Sequence, residues 1–283
     1  MSKRRAVLAR LQLFSDLRLV LDAMKNFALL EIGRLTRTQR FRHRLLEVFI
    51  DVARQSAEYY PQRAPAATED LFVILGSERG FCGDFNQRLV TIYNRVRNAS
   101  ATASFIVVGT ALATKIDTDE RVATLPGPIT GDEIDAVLVT LLHEVDRWQR
   151  ANPSADSISV IAGNVESVSI DAILPFEPPS GSPLRPPSLN LPPAVFVRRF
   201  IDQYIDVKLH DAFATSLLAE NRARLQHMTA ALARVDEHLG DLEHRSRRLR
   251  QEEITEEVET LLLATTAGNE HSTTDGHFRR LTT

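Results

Sequence analysis

Residues 225–242, LQHMTAALARVDEHLGDL, place apolar side chains at Leu225, Met228, Leu232, Val235, Leu239 and Leu242, a spacing of 3, 4, 3, 4, 3. That alternation is the seam of a helix that pairs with another helix along its length. The phase continues to Ser246 and Leu249, then steps to Ile254, Val258 and Leu261. Gly240 interrupts the run at a cost of about 1 kcal/mol relative to Ala, too little to end so long a helix. The pattern predicts a helix over 194–266 that would reach ~110 Å at 1.5 Å per residue.

A seam needs a partner, and the other end of the chain supplies one. Val7, Phe14, Leu21, Ala28 and Leu35 recur every seven residues, with Leu17 and Met24 at the intervening d-type positions. No proline interrupts before Pro61, so residues 4–59 read as a single helix of roughly 84 Å.

Between the two helices the period changes. Leu71–Leu75 and Ser104–Gly109 are short apolar runs of strand type, and Asn86–Arg97 reads as a helix. Asp132–Arg150 is an amphipathic helix, with Ile134, Val137, Leu138, Leu141, Leu142, Val145 and Trp148 on its apolar side. Ser157–Ala162 and Val165–Leu174 are two further strands around a Gly163-Asn164 turn. This order argues for a small open α/β sheet.

Two long amphipathic helices cannot bury their stripes on a domain of this size, but they can bury them on each other. The fold class expected is therefore α/β plus long helices: an antiparallel coiled coil of the terminal helices with a central Rossmann-like open α/β domain. The divisions are 1–60 for the first helix, 61–175 for the α/β domain and 194–267 for the second helix. A linker at 176–193 is rich in proline, and 268–283 reads as a disordered polar tail.

Composition narrows the chemistry. The 283 residues carry a net charge of −3, with residues 1–60 at +6 and 61–193 at −6. A basic helix beside an acidic body suits docking on protein better than on nucleic acid, since the chain as a whole is not basic. No apolar run approaches the length of a membrane span, and the basic N-terminus has neither an apolar core nor a cleavage site, which predicts a chain that stays in the cytosol. A single cysteine excludes a disulfide framework and an all-cysteine metal site, and the eight histidines have no ligand spacing.

The one stretch that resembles a ligand loop is LGSERGFCGDFN at 75–86. Gly76, Gly80 and Gly83 lie at i, i+4 and i+7, whereas a dinucleotide fingerprint needs i, i+2 and i+5. Asp84 would repel phosphate at the helix N-terminus. The glycines then serve geometry, with Cys82 as a small buried residue and Asp84 as an N-cap or first-turn residue. Arg245 to Glu259 is a charge-alternating block: either a solvated helix face with i,i+4 pairs or a protein contact patch.

Four segments resemble the gamma subunit of F-type ATP synthases, and they follow one another in that family's order. GSERGFCGDFN at 76–86 is similar to the family's Ser-Asp-Arg-Gly-Leu-Cys-Gly-Gly-Phe-Asn turn, which Arg79, Gly80, Cys82 and Gly83 match; with Gly76 before them they are the fold-determining positions. Ala23-Met24-Lys25 resembles its Ala-Met-Lys/Glu, and Ala219–Arg224 its Ser-Glu-His-x-Ala-Arg. Arg250–Glu257 resembles its Ala-Arg-Gln-Ala-Ala-Ile-Thr-Gln-Glu. Asp22, Asp84, Asn221, Glu252 and Glu253 depart from the family pattern and mark a divergent branch, of the kind an alternative F-type ATPase would use.

The resemblance implies a rotor without catalytic residues, cofactor or metal, coupling ion-driven rotation to ATP synthesis or hydrolysis at beta-subunit sites. It implies alpha and beta subunits around the shaft and the epsilon subunit and c-ring at its foot, with no direct membrane insertion and no nucleic acid. The complex would sit at the cytoplasmic face of a bacterial plasma membrane. Met24 and Lys25, and Arg250, Gln251 and Thr255, are implied contacts with beta subunits. The alternative is a coiled-coil scaffold or adaptor that reuses this fold outside an ATPase.

Overall fold

The computed structural model describes residues 3–57, 70–152, 157–164, 167–174 and 189–275. Two helices dominate it, α1 at Lys3–Ala57 and α5 at Pro193–Asp275. Thus α5 continues through residues 268–275, where composition suggested a tail, and 276–283 lie outside the described residues. Much of the proline-rich segment, residues 175–188, also lies outside them. The chain divides into two compact units, residues 1–23 with 230–283 and residues 24–229.

In the first unit the helices run antiparallel. Arg4 meets Glu253 at 3.1 Å, the Phe14 and His238 rings lie 5.5 Å apart, and Arg18 Nε donates to Asp236 Oδ1 at 2.6 Å. As the number rises on α1 it falls on α5. Val7, Leu21, Leu232 and Val235 are buried between them, as the seven-residue repeat requires.

Two sequence expectations fail here. Leu17, assigned to a d-type position, is 43% exposed. Ile254, Val258 and Leu261 are also exposed, because the seam does not change phase after Leu249. It holds the 3–4 step to Glu253, whose carboxylate takes Arg4. An ion pair outside the apolar alphabet occupies the place that a hydropathy pattern assigns to Ile254.

The second unit holds a five-stranded sheet in the order β3-β2-β1-β4-β5. Its strands are β1 (Asp70–Leu75), β2 (Ser104–Val108), β3 (Val122–Leu125), β4 (Ser157–Gly163) and β5 (Val168–Leu174). β1, β2, β3 and β4 are mutually parallel, and β5 returns antiparallel on β4. β3, a four-residue edge strand, gave no apolar run to read in the sequence.

Strand alternation divides the core into two layers. On one face Val73, Leu75, Ile106, Val108 and Val160 pack with α4 (Ile134–Ala151), α1 and the start of α5. On the other, Ile74, Phe105, Val107 and Ile161 pack with α2 (Phe85–Ala99) and the four-residue α3 (Thr110–Ala113).

Here the heptad of α1 changes character. After Ala28 and Leu35, the next position seven residues on is Arg42, which is 8% exposed. Glu31, one heptad after Met24, is only 1% exposed and accepts Gly131 N–H at 3.1 Å, at the start of the 3₁₀ turn that leads into α4. A buried carboxylate at a helix start satisfies an orphan amide and favours the helix dipole. Where α1 also holds the α/β layer, its buried face thus takes in Glu31 and Arg42 beside Leu35 and Leu46.

These exposures set a contrast. Leu232→Ala should destabilise the pairing of the helices by about 2–3 kcal/mol through the cavity it leaves. Leu17→Ala should change it by no more than about 0.5 kcal/mol. Thermal unfolding followed by circular dichroism on the two variants measures both.

Candidate functional site

The chain turns sharply between β1 and α2, and the residues of that turn are fixed one by one. Gly76 N–H donates to Val108 O at 2.9 Å, which extends the β1–β2 ladder by one bond. A Cβ at Gly76 would overlap the Leu112 side chain down to its own Cβ, so the site tolerates no methyl. Gly83 has φ of +61°, and Phe81, a non-glycine, has φ of 64°. Gly80 has no positive φ, and a Cβ added to it would meet no heavy atom within 4 Å. The left-handed residue next to it is the phenylalanine.

The interior of the turn is polar and satisfied. Asn86 Oδ1 accepts Ser77 N–H at 3.1 Å, and Asn86 Nδ2 donates to Ser77 Oγ at 2.7 Å. Ser77 Oγ lies 3.4 Å from the Sγ of Cys82, which is buried. Asp84 stands at the N-cap of α2 but makes no side-chain capping bond; its carboxylate faces Arg88 at 3.6 Å instead.

Sequence reasoning gave no role to three charged residues that hold this turn. Glu78 accepts N–H groups from Thr110 at 2.9 Å and Gly127 at 2.7 Å, and the Thr110 hydroxyl at 2.8 Å. Burial pushes its carboxyl up, but those hydrogen bonds outweigh burial and hold it below the usual range. On α5, Arg224 donates to Arg79 O at 3.3 Å, to Asn221 Oδ1 at 3.1 Å and to Glu220. Ser216 Oγ adds a bond to Leu75 O at 3.0 Å. The turn is thus stitched to α5 by the Arg224 guanidinium, which Glu220 orients, and by the Ser216 hydroxyl.

Glu220 and Arg224 are both almost wholly buried. Burial pushes the Glu220 carboxyl up to about 7, against the pull of Arg224, and the charge of Glu78 acts in the same direction as burial. The segment Ala219–Arg224 stood out in the sequence as a motif, but nothing in it signalled burial.

The residues implied as partner contacts lie elsewhere. Met24 and Lys25 are half-buried on α1 in the second unit, whereas Arg250, Gln251 and Thr255 are on α5 in the first. Arg250 and Gln251 are exposed, and the exposed Thr255 donates its hydroxyl to Gln251 O at 2.9 Å. Five exposed apolar side chains on α1, Leu8, Leu13, Leu17, Leu19 and Val20, lie in that same first unit. Among the described residues no helix is long and apolar enough to cross a membrane. No group of three or more His, Cys, Asp or Glu there is placed to hold a metal ion. What the arrangement offers is a braced turn and long exposed helix faces, the surface of a part that other proteins touch.

Comparison with known proteins agrees with this picture. A family model described as ATP synthase matches residues 3–264. The ATP synthase gamma chain of Clostridium botulinum (strain Okra / Type B1) is 23% identical over 198 residues, covering 68% of this chain and 70% of the relative. That of Clostridium beijerinckii is 25% identical over 212 residues, covering 70% and 72%. Among solved structures, a chain of the Euglena gracilis mitochondrial ATP synthase OSCP/F1/c-ring in rotational state 3 superposes with a TM-score of 0.63 at 14% identity, covering 99% of this chain and 98% of that one. A chain of the Tetrahymena thermophila mitochondrial ATP synthase central stalk/c-ring gives 0.55 at 14% identity, covering 75% and 99%. At such identities the structural likeness is one of fold.

Two measurements test the turn. Gly76→Ala should cost about 1–3 kcal/mol by overpacking, while Gly80→Ala should be neutral or slightly stabilising; a phosphate cradle would show the reverse sensitivity to ligand. The second test is pH. A carboxyl whose folded pKa lies above its unfolded value stabilises the fold fully below the unfolded value and loses that contribution as pH rises through the folded one. For Glu220 the loss falls between pH 4.5 and about 7. Glu220→Gln should flatten the decline of the unfolding midpoint across that window.

Proposed function

The chain belongs to the gamma-subunit family of F-type ATP synthases and is a rotor shaft, and we propose that it works without catalytic chemistry of its own, by transmitting torque to nucleotide sites on other subunits. The observation that carries this is the family match from residue 3 to residue 264, which takes in both long helices and the sheet between them. A protein matched only through its α/β layer would leave the helices unexplained.

The partners follow from the family. Alpha and beta subunits surround the paired helices, and the epsilon subunit and c-ring meet the unit that carries the sheet. A rotor has two physical duties: to resist twist and to present a different face to each catalytic site. Paired helices do the first, since each holds its backbone bonds internally and shares a buried seam with its partner. Exposed side chains do the second.

In this assignment Met24 and Lys25 on α1 touch beta subunits, and Arg250, Gln251 and Thr255 on α5 touch beta-subunit loops. The complex places the chain at the membrane surface as a peripheral part, on the cytoplasmic face of a bacterial plasma membrane. Nucleotides and metal ions belong to the beta sites, and no bound cofactor is assigned to this chain.

The test is recovery of the complex. The tagged chain should bring down alpha and beta subunits from its own cells in a complex with one copy of the chain, and the purified complex should hydrolyse ATP. A chain recovered without them is a scaffold, and the rotor role is then wrong. Arg250→Glu should leave the melting temperature of the free chain unchanged, because the residue is exposed, while lowering ATP-driven rotation at least several-fold. Rotation equal to wild type would remove Arg250 from the contact set.

A further inference from the structure

Within the second unit, α1, the start of α4 and α5 enclose a groove of about 440 Å³. Leu35, Ile134 and Val207 form its apolar wall, and Phe41 and Leu45 stand at its mouth. Phe41 is 72% exposed, and Leu45 and Val48 continue the same ridge of α1 at i+4 and i+7, both open to solvent. An apolar ridge that runs past the end of the groove is longer than a small molecule needs.

One side chain of this groove is at odds with its surroundings. Arg42 is nine-tenths buried, and it donates to Thr38 Oγ1 and, at 3.3 Å, to Leu35 O. Its Nε–H makes no hydrogen bond, and the nearest carboxylate, Asp211, stands 3.8 Å away. A guanidinium has five N–H donors, so most of this one's capacity is unanswered while its charge is held out of water. Burial depresses the Arg42 pKa against the opposing pull of Asp211. Buried charges are ordinarily paired and hydrogen-bonded.

The remaining charges set what can enter. Arg34 is held by Glu31 at 3.2 Å and faces Asp132 at 3.7 Å, and His210 faces Asp135 at 3.4 Å. Asp132 and Asp206 also line the groove. The pattern is one buried cation with bonds to give, acidic groups on the same walls, and an apolar ridge outside.

We infer that this groove is the docking site for a segment of another polypeptide of the complex, one that lays apolar side chains along Phe41, Leu45 and Val48 and places an Asp or Glu carboxylate on Arg42. A Lys or Arg in the same segment complements Asp132 and Asp206. The carboxylate accepts from the terminal amino groups of Arg42, since Nε is closed off beside Asp211, and the apolar residues cover the ridge. This rests on the rotor role, and it adds a surface, a partner chemistry and an anchoring residue.

The experiment places p-benzoylphenylalanine at position 41 of the full chain, in the complex purified from its own cells, and irradiates it. The expected adduct joins one other subunit at a segment with an acidic residue among apolar ones. Arg42→Met should melt at or above the wild-type temperature, because Asp211 is partly open to water, yet hold that subunit at least tenfold more weakly. Phe41→Ser, at an exposed position that the fold does not need, should weaken it in the same direction. An adduct with a segment lacking any Asp or Glu overturns the inference, as does an intact complex without an adduct or with unchanged retention in Arg42→Met. Those results leave the rotor role standing. If the chain recovers no alpha or beta subunits, both fall together.

Discussion

A long helix with an apolar stripe cannot remain unpaired in water, and most of this structure follows from that constraint. Each buried leucine or valine contributes on the order of 1.5–3 kcal/mol, but only if another surface covers it. In the unit formed by residues 1–23 and 230–283, the two helix ends cover each other through Val7, Leu21, Leu232 and Val235. In the unit formed by residues 24–229, the same two helices also form one wall of an α/β core. Their sequences change accordingly, from apolar heptads to heptads that include Glu31 and Arg42.

Buried charge is the second theme, and it is used for attachment. Glu31 takes the amide of Gly131, Glu78 takes the amides of Thr110 and Gly127, and Arg224 takes the carbonyl of Arg79. In each case a side chain answers a backbone group that secondary structure leaves over. These bonds are directional, so they fix how the sheet layer sits on α1 and α5 within that unit, which apolar contacts alone leave loose. For a part that carries torque, resistance to sliding matters as much as total stability. Arg42 is the exception, a buried donor whose acceptors are too few.

Much of this was legible before any coordinates. The seven-residue repeats located α1 and α5, and the apolar runs located β1, β2, β4 and β5. The glycine spacing at 76–83 marked the turn between β1 and α2. Short-range features carried those inferences, because periodicity and turn chemistry are properties of neighbouring residues. Where the pattern was read too literally it misled: Leu17 sits at a d-type position yet is exposed, and Ile254 is apolar yet lies off the seam that Glu253 keeps.

The sequence by itself determined two long pairing helices, an open α/β sheet between them and a turn shaped by glycine, because hydropathy period and backbone permissiveness are written in local residue order. Only the tertiary structure decided which charges are buried. Nothing near Glu220 in the chain marks it as hidden from water, and at Arg42 the seven-residue repeat and the charge of the residue point opposite ways. Glu220 is enclosed because its helix packs on a turn more than a hundred residues earlier, and Arg42 because α5, which carries Asp211, packs beside it. Burial is set by what arrives from far along the chain, and the chemistry of a charged group follows from its burial.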